Sequence, residues 1–433
     1  MGDHENADLS PDDALEAVEP PVGAEAGAEV EFDVAVVGAG PAGAIAACVA
    51  ARRGLRVALI DRNTFPRDKT CGDGIGPGAV RVLRELGIDS VLEGRPRIAS
   101  ITMFGTEGER SESPVPDIRG TSTDVFVVPR LDFDEHLFRA ALASGAADMT
   151  GTRYVGMSGY DDRARTIELR DASGARKSLR AHLVIGADGV YSTVRKDLVG
   201  KDGMDPEYSG IAMRAYVECP DFEGGAAGAS MLFEFDRDLL PSYGWVFPVG
   251  DGTVNIGVGL PISQLRERGA DLRRLLAEFA DRLRERGLEI GEIRDERAHQ
   301  LRALMEMPPL TFERAALIGD AASMINPVSG EGIAYAMTAA QRLVKALPAD
   351  LSDGRALAAA LTGFERRFRS GHRMHLLSCR LTMVMLRRSA TAAVVVRALQ
   401  TDPRVLGGVF SMLFGDGRLN ATTALRIARH AVR

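Results

Sequence analysis

The strongest constraint on this chain lies at residues 33–61, where an apolar run, three glycines, an alanine-rich run, a second apolar run and an aspartate follow in order. Residues 34–37, Val-Ala-Val-Val, have the composition of a strand buried on both faces. Gly38, Gly40 and Gly43 then stand in G-x-G-x-x-G spacing at the start of a helical run over 42–53, and residues 55–60 read as a second strand ending at Asp61. In a βαβ unit of this kind the first glycine makes a tight turn, the second lets backbone approach a pyrophosphate, and the third packs helix on strand. The pyrophosphate sits on the helix N-terminus at Ala42, where unpaired N–H groups and the dipole favour negative charge. Asp61, followed by Arg62, stands where an acid meets the adenosine ribose. The stretch therefore predicts a dinucleotide site.

At 433 residues the chain has enough length for one large core or two to three smaller ones. Its 45% hydrophobic and 26% charged residues are those of a soluble globular protein. Residues 1–30 hold nine acids and no Lys or Arg, so removing them from the net charge of −7 leaves +2 for the remainder. That near-neutral balance argues against nucleic acid as a partner. The acidic segment is expected to be a disordered tail, with neither the basic nor the apolar region of a secretory signal. No stretch has the eighteen or so apolar residues of a spanning helix. Cys48, Cys71, Cys219 and Cys379 include no C-x-x-C pair, which fits a reducing cytoplasm and argues against a zinc site or a dithiol centre.

Beyond Asp61, Cys71-Gly72-Asp73-Gly74-Ile75-Gly76 makes an open loop, and Pro77 suits the first turn of a helix reaching Leu86. The loop is either a flexible connection or a cover over the cofactor. Cys71 within it either packs or faces the reaction centre; a nucleophilic role needs a base that the sequence does not supply. Residues 98–128 read as strands. Asp132, with Glu135 three residues on, reads as an N-cap for a helix over 133–144. Arg130 at that junction is a surface residue or a pyrophosphate partner. A hairpin turning at 172–174 leads to a strand over 183–185 and a second glycine–acid turn, Gly186-Ala-Asp188-Gly189. Residues 211–218, 231–235, 243–249 and 253–260 read as antiparallel strands forming one wall of a substrate pocket. Residues 264–286 read as one charged amphipathic helix. Gly319-Asp320 closes another strand, and Gly330-Glu-Gly332-Ile333 opens a helix reaching about Leu347. The last eighty residues read as helical; the apolar runs at 376–386 and 391–399 are core, a wall around a greasy substrate, or a membrane-surface patch.

Three glycine–acid turns in this order resemble the flavoprotein monooxygenase and geranylgeranyl reductase superfamily, typified by para-hydroxybenzoate hydroxylase. The resemblance covers about residues 32–345: VVGAGPAGAIAACVAARRGLRVALID is similar to its FAD-binding βαβ unit, GADGVYSTVR to its Asp-Gly motif and LIGDAASMINPVSGEGI to its Gly-Asp motif. It implies an α/β fold: an FAD-binding Rossmann-like domain, an inserted antiparallel β-sheet substrate domain and a helical C-terminal region. The implied limits are 31–200 for the first part of the FAD domain (with substrate-domain strands near 98–128), 201–300 for the substrate sheet and helix, 301–348 for the second part of the FAD domain, and 349–433 for the C-terminal helices. It further implies that Asp61 binds the adenosine ribose, Arg130 touches the cofactor, Asp320 holds the ribityl chain, and the helix after Gly330 and Gly332 points its N-terminus at the flavin. There the dipole stabilises charge that builds on reduction. Cys71, Gly72, Asp188, Gly319 and Ile333 complete the implied contacts. At Ser323 the chain departs from the commoner motif, where His is frequent.

FPRDKTCGDGIGP is similar to the loop of the geranylgeranyl reductase branch, and Tyr243-Gly-Trp245-Val-Phe247-Pro248 resembles its Y-x-W-x-F-P signature, with Leu240 where that branch has Pro. The single Trp excludes halogenases with a W-x-W-x-I-P signature, and no second dinucleotide domain or cysteine pair of the glutathione-reductase type is present. Two chemistries fit. FAD, reduced by NAD(P)H or another donor, delivers hydride to a C=C bond of an isoprenoid or other lipophilic substrate, with Cys71, Tyr243 and Trp245 as candidate active-site residues. Alternatively, the protein is a monooxygenase acting through a flavin C4a-hydroperoxide. Peripheral membrane contact through the C-terminal helices is compatible with either.

Overall fold

The computed structural model describes residues 31–430 apart from 119–121, 201–208, 223–228, 304–307, 403 and 416, so the acidic stretch at 1–30 lies outside the described residues. The valine-rich run forms the strand Phe32–Val37, paired in parallel with Arg176–Gly186 on one side and Val57–Asp61 on the other. Ala315–Leu317 and Ala147–Thr150 extend the sheet in parallel, and Thr311–Phe312 adds an antiparallel edge. Thr152–Tyr160 and Arg165–Asp171 hang antiparallel from the Arg176–Gly186 strand. The helices and the antiparallel hairpin pack into one core with the sheet, with Tyr154, Ile167 and Leu169 of the hairpin in the same buried cluster, which explains the unbroken apolar runs: Val34, Ala35, Val36, Leu183, Val184 and Ile185 are all fully buried. In register, Val37 lies beside both Ile60 and Gly186, and Gly186 beside Leu317. The loops beginning at Gly38, Arg62, Ala187 and Ile318 therefore open on one sheet edge, the carboxyl ends where open α/β sheets bind ligands.

Pro41 starts the helix Pro41–Arg52, which packs against Ile333–Ala346 and Arg130–Ala143. Gly43 allows this approach, because a Cβ there would lie 1.7 Å from the Gly38 carbonyl oxygen.

The second sheet is ordered Arg294–Arg302, Ser209–Glu218, Thr253–Pro261, Gly244–Pro248, Ala229–Glu234, Ile98–Phe104 and Arg110–Pro114. Its pairs are antiparallel except Ala229–Glu234 beside Ile98–Phe104. Side-chain alternation divides it. Leu232, Val246, Ile256 and Val258 pack under the helix Leu272–Glu285 through Leu276 and Phe279. Met231, Phe233, Trp245 and Phe247 face the other way, against Val396, Val405 and Phe410 of the helices Ser389–Thr401 and Arg404–Phe414.

Two local expectations need correction, and a third, left open, resolves into two faces. The run 264–286 is two helices, Ile262–Arg268 and Leu272–Glu285, because Gly269 takes a left-handed conformation (φ +56°) that ends the first. Asp132 is not an N-cap: Pro129, with φ set by its ring, holds the cap position of Arg130–Ala143, and Asp132 lies in the first turn, paired with Arg95. The apolar run 376–386 is not uniform either. Within the helix Gly354–Leu386, Leu376, Cys379 and Leu386 are buried, whereas Leu377, Leu381 and Val384 are 58%, 58% and 60% exposed.

Gly43→Ala should destabilise the protein by about 1–3 kcal/mol or more, since backbone meets backbone and no side chain can yield. Gly371→Ala, in a helix interior with open space around its Cβ position, should instead stabilise by about 0.5–1 kcal/mol. Thermal unfolding of both variants checks the contrast, and a Gly43→Ala protein as stable as its parent would refute the packing argument.

Candidate functional site

The four loops at the carboxyl edge, the aromatic face of the second sheet and the C-terminal helices enclose one cavity of about 1320 Å³. That exceeds the roughly 300–1,000 Å³ of ordinary ligand pockets. Every candidate residue from the sequence lines it except Gly43, whose place is in the packing beneath.

At one end, Gly38 has φ +100°, and a Cβ there would lie 2.3 Å from the Ala187 carbonyl oxygen. Two βα turns thus meet with no room for a side chain. Asp61 Oδ2 accepts the Ala39 N–H and Oδ1 the Asn63 N–H, both at 2.9 Å, which fixes the carboxylate at the cavity wall. No side chain caps the N-terminus of Pro41–Arg52. Asp188 lines the cavity, and its carboxylate accepts the N–H groups of Thr193 and Val194. Arg195 joins the second and third turns, donating to Val190 O at 2.6 Å and Ala321 O at 3.0 Å.

Near the middle, Lys69 Nζ stands 2.9 Å from Asp320 Oδ2. Burial alone would raise the Asp320 pKa, but Lys69, Arg130 and His299 hold it below the usual carboxylate range. His299 is pushed down to about 4 by burial and by the Lys69 charge, so it is neutral at pH 7, and its Nε2 is buried without a partner among the described residues. Arg130 is buried and bidentate with Asp134, at 2.7 and 2.8 Å. Its guanidinium is committed to that carboxylate while it still borders the cavity.

The Cys71–Gly76 loop lies directly on the aromatic face: a Cβ on Gly72 would be 3.0 Å from Phe247 Cε2 and 3.2 Å from Trp245 Nε1. A buried network holds it there. Trp245 Nε1 donates to Asn255 Oδ1 at 3.0 Å, and Asn255 Nδ2 donates to Cys71 O at 2.8 Å and Asp73 Oδ2 at 2.7 Å. Asp73 also accepts from Tyr216, and burial pushes its pKa up to about 6. Burial likewise raises the Cys71 thiol, the opposite of what a nucleophilic thiolate needs.

Tyr243 donates its hydroxyl to Ser329 O, beside Gly330, which has φ +68°. Next in the chain, Glu331 Oε1 accepts the Ala334 N–H at 2.7 Å, whereas Oε2 is buried with no partner among the described residues. Burial pushes this carboxyl up to about 7, against the pull of the helix N–H groups. Asn255, Asp73, Lys69, His299, Arg195 and Glu331 were not singled out in the sequence. Only Glu331 and Asp73 carried a local signal, each as an acid inside a glycine-rich turn.

A family model for an FAD-binding domain matches residues 31–370. Over 314 residues the chain is 38% identical to a menaquinone reductase of Mycolicibacterium smegmatis, covering 70% of this chain and 73% of that one. The chain belongs to the geranylgeranyl reductase family of FAD-binding oxidoreductases. A geranylgeranyl diphosphate reductase of Rhodobacter capsulatus is 32% identical over 337 residues, covering 75% of this chain and 77% of the relative. The solved geranylgeranyl bacteriochlorophyll reductase-like protein from Thermoplasma acidophilum superposes with a TM-score of 0.74 at 20% identity, covering 93% of this chain and 96% of that one.

The residues present fit FAD. Glycine-lined turns offer backbone N–H groups for a pyrophosphate, Asp61 is oriented at the end of the second strand, and buried polar atoms of His299 and Glu331 lack partners among the described residues. Gly40→Val and Asp320→Ala should each yield a folded protein without flavin. A Cβ at Gly40 meets nothing nearer than Arg67 Nη2 at 3.4 Å, so the fold tolerates it while the branched side chain enters the cradle. Visible absorbance against circular dichroism reads the two properties separately; full flavin in both variants would contradict the assignment.

Proposed function

We propose that this enzyme reduces a C=C bond in the polyprenyl chain of a lipophilic substrate, a menaquinone side chain being the first to test. The observation that carries the reading is the division of the cavity into a polar, glycine-lined end and an apolar end walled by Met231, Phe233, Tyr243, Trp245 and Phe247. The relatives' names, menaquinone reductase and geranylgeranyl diphosphate reductase, support it.

FAD, reduced by NAD(P)H or another donor, supplies the hydride in this family's chemistry. The chain's own residues then have three tasks. Asp61, Asp320 and the turns at Gly38, Ala187 and Gly319 anchor the cofactor. Tyr243 and Trp245, fixed by hydrogen bonds to Ser329 O and Asn255, orient the chain and keep water out, while Cys71 forms the wall between loop and sheet. Glu331 holds the proton. An isolated alkene accepts hydride poorly unless an acid protonates the other carbon, so the substrate gains one hydride and one proton, two hydrogens in all. A carboxyl raised to about 7 inside the cavity has its proton available in about half of the molecules at neutral pH, where an ordinary carboxyl would have lost it.

Single turnover of the chemically reduced enzyme with menaquinone should add two hydrogens to the product mass, equally with and without oxygen. Gain of one oxygen atom, only in air, would make the enzyme a monooxygenase. The acid form of Glu331 is the competent one, so the rate should be flat below about pH 7 and fall about tenfold per unit above it. Glu331→Gln should lower the rate about 10²–10⁴-fold and abolish that dependence while retaining flavin. An unchanged profile would remove Glu331 from the chemistry and leave the reduction itself to the mass measurement.

A further inference from the structure

The helix Gly354–Leu386 presents an apolar stripe to solvent at its C-terminal half. Met374, Leu377, Leu381, Val384 and Met385 are 47%, 58%, 58%, 60% and 43% exposed, and their spacing of three and four residues keeps them on one face. The opposite face, with His372, His375, Leu376 and Cys379, is buried. Outside the C-terminal region, large exposed apolar side chains stand singly among the described residues, at Leu131, Tyr160, Tyr191 and Val199. A contiguous row is different in kind from such scattered residues.

Charge follows the same face. Arg373, Arg380 and Arg387 are exposed and recur every seven residues, which lines them along one flank of the stripe, with Arg388 at its end. From 366 to 401 the sequence has eight arginines and no Asp or Glu. The stripe is also the rim of the cavity: Leu381, Val384, Met385, Arg387 and Arg388 line it, as do Ala424 and Ile427 of the helix Ala421–Ala428, whose Leu425 is 62% exposed.

We propose that this face docks the enzyme on an anionic lipid bilayer, so that a lipid passes from the membrane into the cavity without crossing water. An apolar stripe beside a row of arginines is the pattern of a helix lying in the membrane interface, with apolar side chains in the acyl boundary and guanidinium groups among the headgroups. Among the described residues no helix is long and apolar enough to cross a membrane, so the contact is with one leaflet. A second copy of the chain is a poorer occupant. A two-fold contact through this patch sets the same surface against itself, bringing together two arginine-rich faces with no Asp or Glu between 366 and 401 to offset them. The proposal rests on the cavity accepting a lipophilic substrate, but it is tested by binding alone.

The flavin-loaded protein is sedimented with vesicles of phosphatidylcholine and phosphatidylglycerol at three to one, and with phosphatidylcholine alone. It should pellet with the anionic vesicles, and binding should fall about tenfold or more when salt rises from about 0.1 to 1 M, as the screening length drops from about 10 to 3 Å. Met374→Glu combined with Leu377→Glu, two positions outside the cavity lining, should weaken binding about tenfold or more. The same variant should retain flavin, melting behaviour and turnover of a water-soluble short-chain quinone, while losing turnover of substrate held in vesicles. No sedimentation of the parent, or equal sedimentation of the variant, overturns the membrane assignment. A parent dimer that the variant converts to monomer overturns it in favour of self-association. If vesicles bind yet no prenyl substrate is reduced, the docking stands and the substrate reading fails.

Discussion

Asn255 is the point at which the two sheets act as one structure. It lies fully buried on a strand of the second sheet, yet its amide reaches the Cys71 carbonyl and the Asp73 carboxylate of the loop leaving the first. Its oxygen meanwhile takes the indole N–H of Trp245. An amide in an apolar interior is costly unless its hydrogen bonds are made, and here both of its ends are used. One consequence is that Trp245 is held by its N–H rather than by packing alone. Another is that the Cys71–Gly76 loop is hydrogen-bonded against the aromatic face. The pocket wall and the cofactor loop therefore share a single fixed geometry.

The electrostatics of the cavity follow from where burial is compensated and where it is not. Asp320 is surrounded by Lys69, Arg130 and His299, and stays ionised despite burial. Glu331 has only helix N–H groups and is pushed up to about 7. The cavity thus has a charged carboxylate at its polar end and one raised to about 7 beside Tyr243 and the apolar wall. The two are eleven residues apart in sequence, on the 3₁₀ turn Gly319–Ala322 and on the turn that opens the helix Ile333–Ala346. What separates their chemistry is the set of cationic neighbours around Asp320, with Lys69 the foremost.

The sequence makes this site legible wherever a constraint is local. Gly38 and Gly43 stand where backbone contacts backbone, so their spacing carries the geometry directly. The strands at 209–218 and 253–261 are visible because alternation and turn residues are local too. Lys69 and Asp320 are 251 positions apart, and nothing near either residue announces the other. Asn255 is hidden for a related reason: a polar residue in an alternating strand reads as solvent-facing until the partner that buries it is known. Arg130 was half legible. Its place at a strand-to-helix junction suggests an anion, but Asp134 one helical turn on claims the guanidinium, as the four-residue spacing allows. Asp132 misled because its spacing to Glu135 matches a capping box, whereas Pro129 had already fixed the start of the helix.

The C-terminal helices complete this arrangement by having two unlike faces. His375 and Tyr335 sit inside, with the tyrosine hydroxyl 2.5 Å from His375 Nε2 and donating to Gly415 O at 3.0 Å. Asn326 donates to Met412 O at 2.8 Å, and Ser329 to Leu413 O at 2.6 Å, so the helix Arg404–Phe414 is tied to the turn that carries Glu331. These bonds are buried or partly buried and link segments far apart in the chain, so the inner face is fixed relative to the flavin-side turn. A rigid inner face makes the outer face a fixed surface as well. The cavity mouth, bordered by Leu381, Val384 and Met385, is therefore set at a defined distance from Glu331 and from the glycine-lined turns. A long flexible substrate needs that arrangement more than a small rigid one does. In the proposed reaction the reacting double bond is positioned by how far the chain is threaded, and threading is measured from the mouth.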